Sequence, residues 1–232
     1  MRAIYRFGKA RRLMCVSHLD LQRFMQMALR RTQLPVAYSQ GFNPHPLLSF
    51  ASALAMGWTS ECELMDIKMD KPIDEDFAFG QMRAALPPDL PLYAVRLVDD
   101  RHPALMARLN MADYRVSVAG EGADEVAAAL PGYLAEREVV ALRKTKSGEK
   151  PTDIRPMSVS VETHRTEEGY DFSMRLMLTE RATLKPDLLL KVLAERAGGA
   201  PPAARIHRTA LLAADGQGRP VDLFSLEGVD GA

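Results

Sequence analysis

The chain has 232 residues, a hydrophobic share of 47% and a formal net charge of zero at pH 7. This length allows one large domain or two small ones, and the composition is that of an ordinary globular protein. A net charge of zero excludes an overall field that would favour nucleic acid or membranes. No apolar run approaches the ~20 residues of a membrane span. We therefore expect a soluble, cytoplasmic protein with no membrane partner.

The first fifth of the chain has a different charge balance. Residues 1–50 contain eight basic residues, seven of them arginines, and one acidic residue, Asp20. Arginine suits phosphate recognition better than lysine does. This bias favours an anionic partner for the N-terminal region, and a solvated basic face is the alternative.

Two cysteines, Cys15 and Cys62, are the whole thiol content of the chain. They form no CxxC motif, and no histidine lies at ligand-like spacing from them. The pattern predicts no metal site and no cofactor of the chain's own. It is typical of buried thiols in a reducing compartment, and it leaves open whether the two cysteines pair.

The hydrophobic periodicity of the first hundred residues predicts the order β-α-β-β-α-β. Ser17 and Asp20 predict the start of the first helix, and Pro35 predicts a stop after it. Asp74 caps the second predicted helix, which ends at Pro87. The predicted strands are 2–8, 36–39 with 47–56, 61–69 (half-buried) and 93–98.

The second half predicts the same order again. Its predicted strands are 113–119, 139–144, 158–164, 170–179 and 205–213, and its predicted helices are 123–137, interrupted by Pro131, and 186–196. We therefore predict an α+β fold with tandem ferredoxin-like (β-α-β-β-α-β) domains and antiparallel sheets. The predicted limits are 1–100 and 108–214, joined by a short linker, with 215–232 as a tail.

The segment Ser39-Gln-Gly-Phe-Asn-Pro-His-Pro46 is the most distinctive stretch of the chain. Its two prolines exclude a helix and hold Asn43 and His45 in extended geometry. Stiff loops that carry aromatic, amide and imidazole groups are common at working sites. The sequence thus predicts a functional loop with Ser39, Phe42, Asn43 and His45 as candidates, and a plain proline-rich turn is the alternative.

Two further groups of residues are candidates. His18 begins the first predicted helix, where capping and packing compete with a role as general base together with His45. The segment 143–155 holds five basic residues and two acidic residues around a flexible Ser147-Gly148 tip. It predicts a basic hairpin that follows a phosphate backbone, or a solvated hairpin tip. It lacks the GxxxxGK[ST] pattern of a nucleotide-binding loop.

Several motifs together resemble those of a known family. They are Arg12-Leu, Ser17-His-Leu-Asp20, Ala28-Leu-Arg-Arg31, Tyr38–Pro46 with its Gly-Phe-Asn-Pro-His-Pro core, Ser49–Leu54 and Asp153-Ile-Arg-Pro156. The chain resembles the bacterial radical-SAM-associated (radical-SAM-linked) proteins of unknown function. The resemblance implies a partner, a radical S-adenosylmethionine enzyme, and it implies no reaction. Leu47 departs from the charged residue usual at that position in the family.

Our functional prediction is an accessory, non-catalytic module that binds RNA and presents it to the radical enzyme. Phe42 would stack on an unpaired base, and Asn43 and His45 would contact base edges or sugar hydroxyls. The complete set of predicted RNA- or partner-binding residues is Arg12, His18, Arg23, Arg30, Arg31, Ser39, Phe42, Asn43, His45, Lys144, Lys146 and Arg155. The alternatives are a metal-independent endoribonuclease that uses His18 and His45, and a protein-only scaffold.

Overall fold

The structure, a computed structural model, describes residues 1–145 and 148–227, with the backbone alone at residues 144 and 145. The chain folds as mixed α and β structure and divides into two compact units. Unit 1 comprises residues 1–109 and the segment from 210 onward, and unit 2 comprises residues 110–209. None of the described helices has the length and apolar character needed to cross a membrane.

The elements of unit 1 follow the predicted order. They are β1 (Arg2–Lys9), α1 (His18–Leu29), β2 (Leu48–Phe50), β3 (Thr59–Lys68), α2 (Glu75–Ala85), β4 (Leu92–Val98) and the single turn α3 (Leu105–Arg108). Strand β1 is antiparallel to both of its neighbours, so that Tyr5 pairs with Met65 of β3 and with Val95 of β4. Strand β2 pairs with the end of β3 at residues 65–67. The strand order is therefore β4-β1-β3-β2.

Helix α1 begins where its cap residues predict. The Ser17 hydroxyl accepts the backbone N–H of Asp20 at 3.2 Å, which satisfies one of the free donors of the first turn. The buried face consists of Leu21, Met25, Ala28 and Leu29, and it packs in one core with α2 and the sheet. The helix ends at Leu29, well before Pro35, and the Thr32 hydroxyl donates to the Leu29 carbonyl at 2.7 Å.

Two predictions about the strands of unit 1 are corrected. The predicted strand 47–56 is reduced to β2, because the chain bends away after Ala51 donates to the Leu64 carbonyl. Strand β3 is buried along most of its length and not half-buried. Its two buried carboxylates include Asp66, which binds the guanidinium of Arg2.

Unit 2 contains β5 (Met111–Ala119), α4 (Ala123–Ala135), β6 (Val140–Thr145), β7 (Gly148–Asp153), β8 (Ser158–Arg165), β9 (Gly169–Met177), α5 (Pro186–Arg196) and the start of β10 (Ala203–Ala214). The strand order is β10-β5-β9-β8, and β6 and β7 form a separate two-stranded hairpin. Helix α4 continues through Pro131, which is a correction of the predicted interruption. Pro131 lies on the exposed side, while Leu130 and Tyr133 remain packed.

The segments outside the predicted domains are folded parts of unit 1. Residues 101–109 contain α3 and bury His102, Leu105 and Leu109. In the region predicted as a tail, β11 (Pro220–Asp222) pairs with the end of β10, and Leu223 is buried. The described tail residues therefore pack as part of unit 1, and residues 228–232 lie outside the described part of the chain.

Candidate functional site

The segment 39–46 forms a loop, here the Phe42 loop, that is closed at its neck by hydrogen bonds. The Ser39 N–H donates to the His45 carbonyl at 2.9 Å, and the His45 N–H donates to the Ser39 hydroxyl at 3.1 Å. The same hydroxyl lies 2.9 Å from the His45 Nδ1. The ring tautomer of His45 decides which of these two atoms donates to the other. Both predicted residues thus define the shape of the loop.

Phe42 lies at the tip of this loop, and its side chain is fully exposed, at 104% of the reference area. Gly41 precedes it with φ 127°, a conformation that favours glycine. An exposed phenyl ring forgoes roughly 1.5–3 kcal/mol of burial free energy. Asn43 and Pro44 beside it are also exposed. The loop therefore presents an aromatic ring and an amide to a partner.

The base of the loop is joined to the end of β3. Ala37 donates to the Lys68 carbonyl at 2.9 Å, and Lys68 donates to the Leu47 carbonyl at 2.9 Å. The side chain of Lys68 is exposed and has no acidic partner in the described residues. Lys68 is thus a cation at the base of the loop. Strand register sets its position, so it was not among the residues predicted from the sequence.

The predicted arginines of α1 lie on an exposed face, which we call the arginine face, formed by Arg23, Met27, Arg30 and Arg31. Arg23 lies 3.4 Å from Asp20 in a well-exposed pair, which contributes little to stability. Arg31 stacks over Phe24 at 5.9 Å and reaches the Ala85 carbonyl at 3.4 Å. Arg30 and the more distant Arg12 are exposed and have no charge partner among the described residues. These side chains are available to an anion.

A buried lysine shapes the turn that leads into α1. The Nζ of Lys9 donates to the carbonyls of Val16 at 2.8 Å and of Met14 at 3.3 Å, and the side chain is nearly inaccessible. Burial lowers the pKa of Lys9 below its usual value, and the charge of Glu63 acts in the opposite direction. Lys9 was not among the residues predicted from the sequence, because its partners are backbone carbonyls.

The rings of His18 and His45 make different contacts in the structure. The His18 ring packs edge-on against Phe50, with 5.1 Å between ring centroids, and Phe50 packs on Phe7. The His45 ring contacts the Ser39 hydroxyl. His18 thus belongs to an aromatic cluster at the start of α1, and His45 belongs to the neck of the Phe42 loop.

The basic candidates of unit 2 have different surroundings. Lys146, and the side chain of Lys144, lie outside the described residues. The guanidinium of Arg155 is turned inward, where it donates to the carbonyls of Leu134 at 3.1 Å and Ser158 at 3.2 Å and stacks over buried Tyr133. Its contacts hold the end of α4, so they give no support to the predicted binding role of Arg155.

The two cysteines are unpaired, and only Cys62 is buried. The expectation of two buried thiols is therefore wrong for Cys15, which lies in the exposed turn between β1 and α1. Burial raises the pKa of the Cys62 thiol. Over residues 1–145 and 148–227, no group of three histidine, cysteine or carboxylate side chains is placed to hold a metal ion.

Comparisons with known proteins give a family match and a fold likeness. A family model described as "Uncharacterized protein conserved in bacteria (DUF2344)" matches residues 2–186. No curated protein matches the chain. A chain in the crystal structure of a Cbf5-Nop10-Gar1 complex is similar in fold, with 9% identity and a TM-score of 0.52, over 90% of this chain and 48% of that one. The present chain thus spans about half the length of that chain.

A second solved structure, an unknown protein from Galdieria sulphuraria, aligns over 89% of this chain and 96% of its own length. The identity is 10% and the TM-score is 0.24.

Proposed function

We propose that this chain, which belongs to the family of uncharacterized proteins conserved in bacteria called DUF2344, is an accessory module that binds RNA through the Phe42 loop. The observation that carries the proposal is the fully exposed phenyl ring on a loop closed by Ser39 and His45. Aromatic side chains bind unpaired bases by stacking, at about 1–3 kcal/mol per base. Asn43 and the His45 Nε2 are polar groups for base edges or sugar hydroxyls.

The charges around the loop support an anionic ligand. Lys68 is exposed at the base of the loop, where its two backbone hydrogen bonds hold its strand in place. The arginine face of α1 offers further cations in the same unit. A single-stranded RNA would combine stacking on Phe42 with phosphate contacts to these cations.

The finer fold assignment is part of this proposal. We infer a ferredoxin-like arrangement for each unit, because both have the strand order 4-1-3-2 in their own numbering. In unit 2 the β6–β7 hairpin is an insertion between α4 and β8. Sheets of this kind are a frequent platform for RNA, although the fold alone does not define a function.

The proposed partner is a radical S-adenosylmethionine enzyme in the cytoplasm, to which this module presents RNA. Support comes from the resemblance of the Tyr38–Pro46 and Ser49–Leu54 motifs to the radical-SAM-linked proteins. Two unpaired cysteines suit a reducing compartment. The module supplies no catalytic residue in this proposal, and the chemistry belongs to the partner.

RNA binding is tested by fluorescence polarisation with a labelled, unstructured 12-nucleotide RNA at several salt concentrations. We expect Phe42→Ala to weaken binding about tenfold and Lys68→Ala to reduce the salt slope by roughly one. The matched control is Tyr93→Ala, which removes another partly exposed aromatic ring of unit 1 and leaves binding unchanged. Equal affinities of the wild type and Phe42→Ala would overturn the proposal.

The partner is tested by anaerobic affinity purification of the tagged chain from its own cells, with and without ribonuclease. Recovery of an iron–sulfur protein together with RNA that ribonuclease removes is the expected result. Recovery of the protein without RNA at low salt would leave a protein scaffold and refute the RNA proposal. Recovery of RNA without an iron–sulfur protein would refute the radical enzyme as the partner.

A further inference from the structure

In the β6–β7 hairpin of unit 2, each strand has an outer backbone edge that faces away from the other strand. Leu142 pairs with Pro151, which has no N–H, so these residues cannot exchange the two bonds of a hydrogen-bonded antiparallel pair. Ile154 donates to the Val139 carbonyl at 2.8 Å, which places Val139 among the residues that face β7. By alternation, the N–H and C=O groups of Val140 and Leu142 point to the outer edge of β6.

The two outer edges of the hairpin differ in whether a further strand can pair with them. Pro151 occupies an outward position on β7, and proline blocks the addition of a further strand. The corresponding positions on β6 are Val140 and Leu142, with side chains 59% and 56% exposed. Their backbone N–H groups find no acceptor in the described residues. The edge of β6 is therefore apolar and open to strand pairing.

A groove runs along this open edge. Its volume is about 390 Å³, within the range of binding clefts. Successive residues of a strand face opposite sides of the sheet, so a cavity that touches four in a row, Val139–Leu142, lies along the edge and not on one face. Helix α5 forms the other wall, with Leu188, Lys191, Val192, Glu195 and Arg196.

Among the described residues, Arg143 is the cation beside the groove whose charge is not offset. Lys191 and Arg196 lie in the wall, but Lys191 is 3.5 Å from Glu195 and Arg196 binds Glu136. Arg143 follows the groove residues on β6, its guanidinium donates to the Thr183 carbonyl at 3.1 Å, and within the described chain it has no acidic partner. An acidic residue of the occupant beside Arg143 is therefore favoured. A second copy of β6 would bring a further arginine and no acidic residue to this position.

We propose that this groove binds an extended segment of a partner protein, which adds to the edge of β6 as a third strand. The segment has apolar residues beside Val140 and Leu142 and an acidic residue near Arg143. Backbone hydrogen bonds supply the affinity in this mode, and side-chain pockets supply the specificity. The residues of this site belong to unit 2, and those of the Phe42 loop belong to unit 1.

The probe for this proposal is a phage-displayed library of linear ten-residue peptides, selected on the full-length chain. The most enriched peptide is then labelled and titrated against two proline variants. Leu142→Pro removes an outward N–H of β6, and we expect at least about tenfold weaker binding. The matched control, Glu149→Pro, places proline on the outer edge of β7 and leaves affinity unchanged.

If Leu142→Pro does not fold, amide hydrogen exchange of the wild-type chain tests whether the peptide pairs with the edge of β6. The Val140 and Leu142 amides exchange rapidly in the free chain and become protected when the peptide binds. Failure to enrich any peptide, or unchanged exchange at both amides with a bound peptide, would overturn the proposal. Protection of the same amides without peptide, in step with self-association, would also overturn it, since the occupant would then be a second copy.

Discussion

Replacing Ser39 with alanine removes two of the hydrogen bonds that close the neck of the Phe42 loop. The hydroxyl accepts from the His45 N–H at 3.1 Å and lies 2.9 Å from Nδ1. Each bond contributes about 1 kcal/mol net, and less where water competes. The substitution therefore changes the free energy of opening the neck by about 1–2 kcal/mol in favour of the open state. The equilibrium constant for opening rises by a factor of roughly 5 to 30.

The assay for this change is amide hydrogen exchange at position 39. That amide donates to the His45 carbonyl at 2.9 Å, a bond that Ser39→Ala leaves in place, so its exchange rate reports the opening of the neck. We expect exchange to accelerate by the same factor of roughly 5 to 30. RNA affinity falls as well, because the looser loop must be ordered on binding.

The control for Ser39→Ala is Ser49→Ala, which removes another exposed serine hydroxyl, on β2. This variant should keep the wild-type exchange rate at position 39. A wild-type rate in Ser39→Ala as well would show that the proline residues alone hold the loop, and our account of the neck would be wrong.

Three further substitutions test the packing. Asp66→Ala leaves the guanidinium of Arg2 without its carboxylate partner, and thermal unfolding should show a loss of about 3 kcal/mol. Burial raises the pKa of Tyr5 above its usual value of 10. Above pH 10 the phenol therefore loses its proton in the unfolded state and keeps it in the folded state, so the free energy of unfolding falls by about 1.4 kcal/mol at pH 11. Denaturant titrations should show this alkaline loss in the wild type and not in Tyr5→Phe. Gly169→Ala puts a Cβ 2.2 Å from the Val118 carbonyl oxygen, at φ 153°, and should cost about 3 kcal/mol in the same assay.

Each of these substitutions has a control in an exposed position. Asp70→Ala removes an exposed carboxylate near the end of β3, Tyr93→Phe a partly exposed phenol, and Gly216→Ala fills open space. The packing account fails for Asp66 or Gly169 if the variant is as stable as its control. For Tyr5 it fails if the alkaline loss persists in Tyr5→Phe.

The parts of the fold that the sequence predicts well depend on local interactions. Ser17 and Asp74 accept N–H groups from residues three positions ahead, and Pro186 begins α5. Gly198 ends the same helix with φ 76°. Signals of this kind are complete within one turn of the chain, so a single sequence contains them. The mixed α and β class follows from their order.

The features that sequence reasoning missed depend on contacts between distant segments. Lys68 lies at the base of the Phe42 loop only because β3 pairs with residues 37 and 47 in this register. Arg155 looks like a surface cation in the sequence, yet it bonds to the Leu134 carbonyl, 21 residues away. Strand alternation predicts which face a residue occupies and not which strand lies beside it.

The division of the chain into units has a consequence for its synthesis. The last residues of β10 and strand β11 belong to unit 1, although the rest of that unit is made first. Unit 2 is continuous, so a ribosome completes it before it has supplied the strands that finish unit 1. Strand β10 is a neighbour of β3 in the sheet. The edge of β3 that β10 covers therefore stays open in the N-terminal unit until unit 2 has been made, a reversal of the usual order for chains with two domains. Chaperones that bind nascent chains would meet the exposed residues of β3 during this interval.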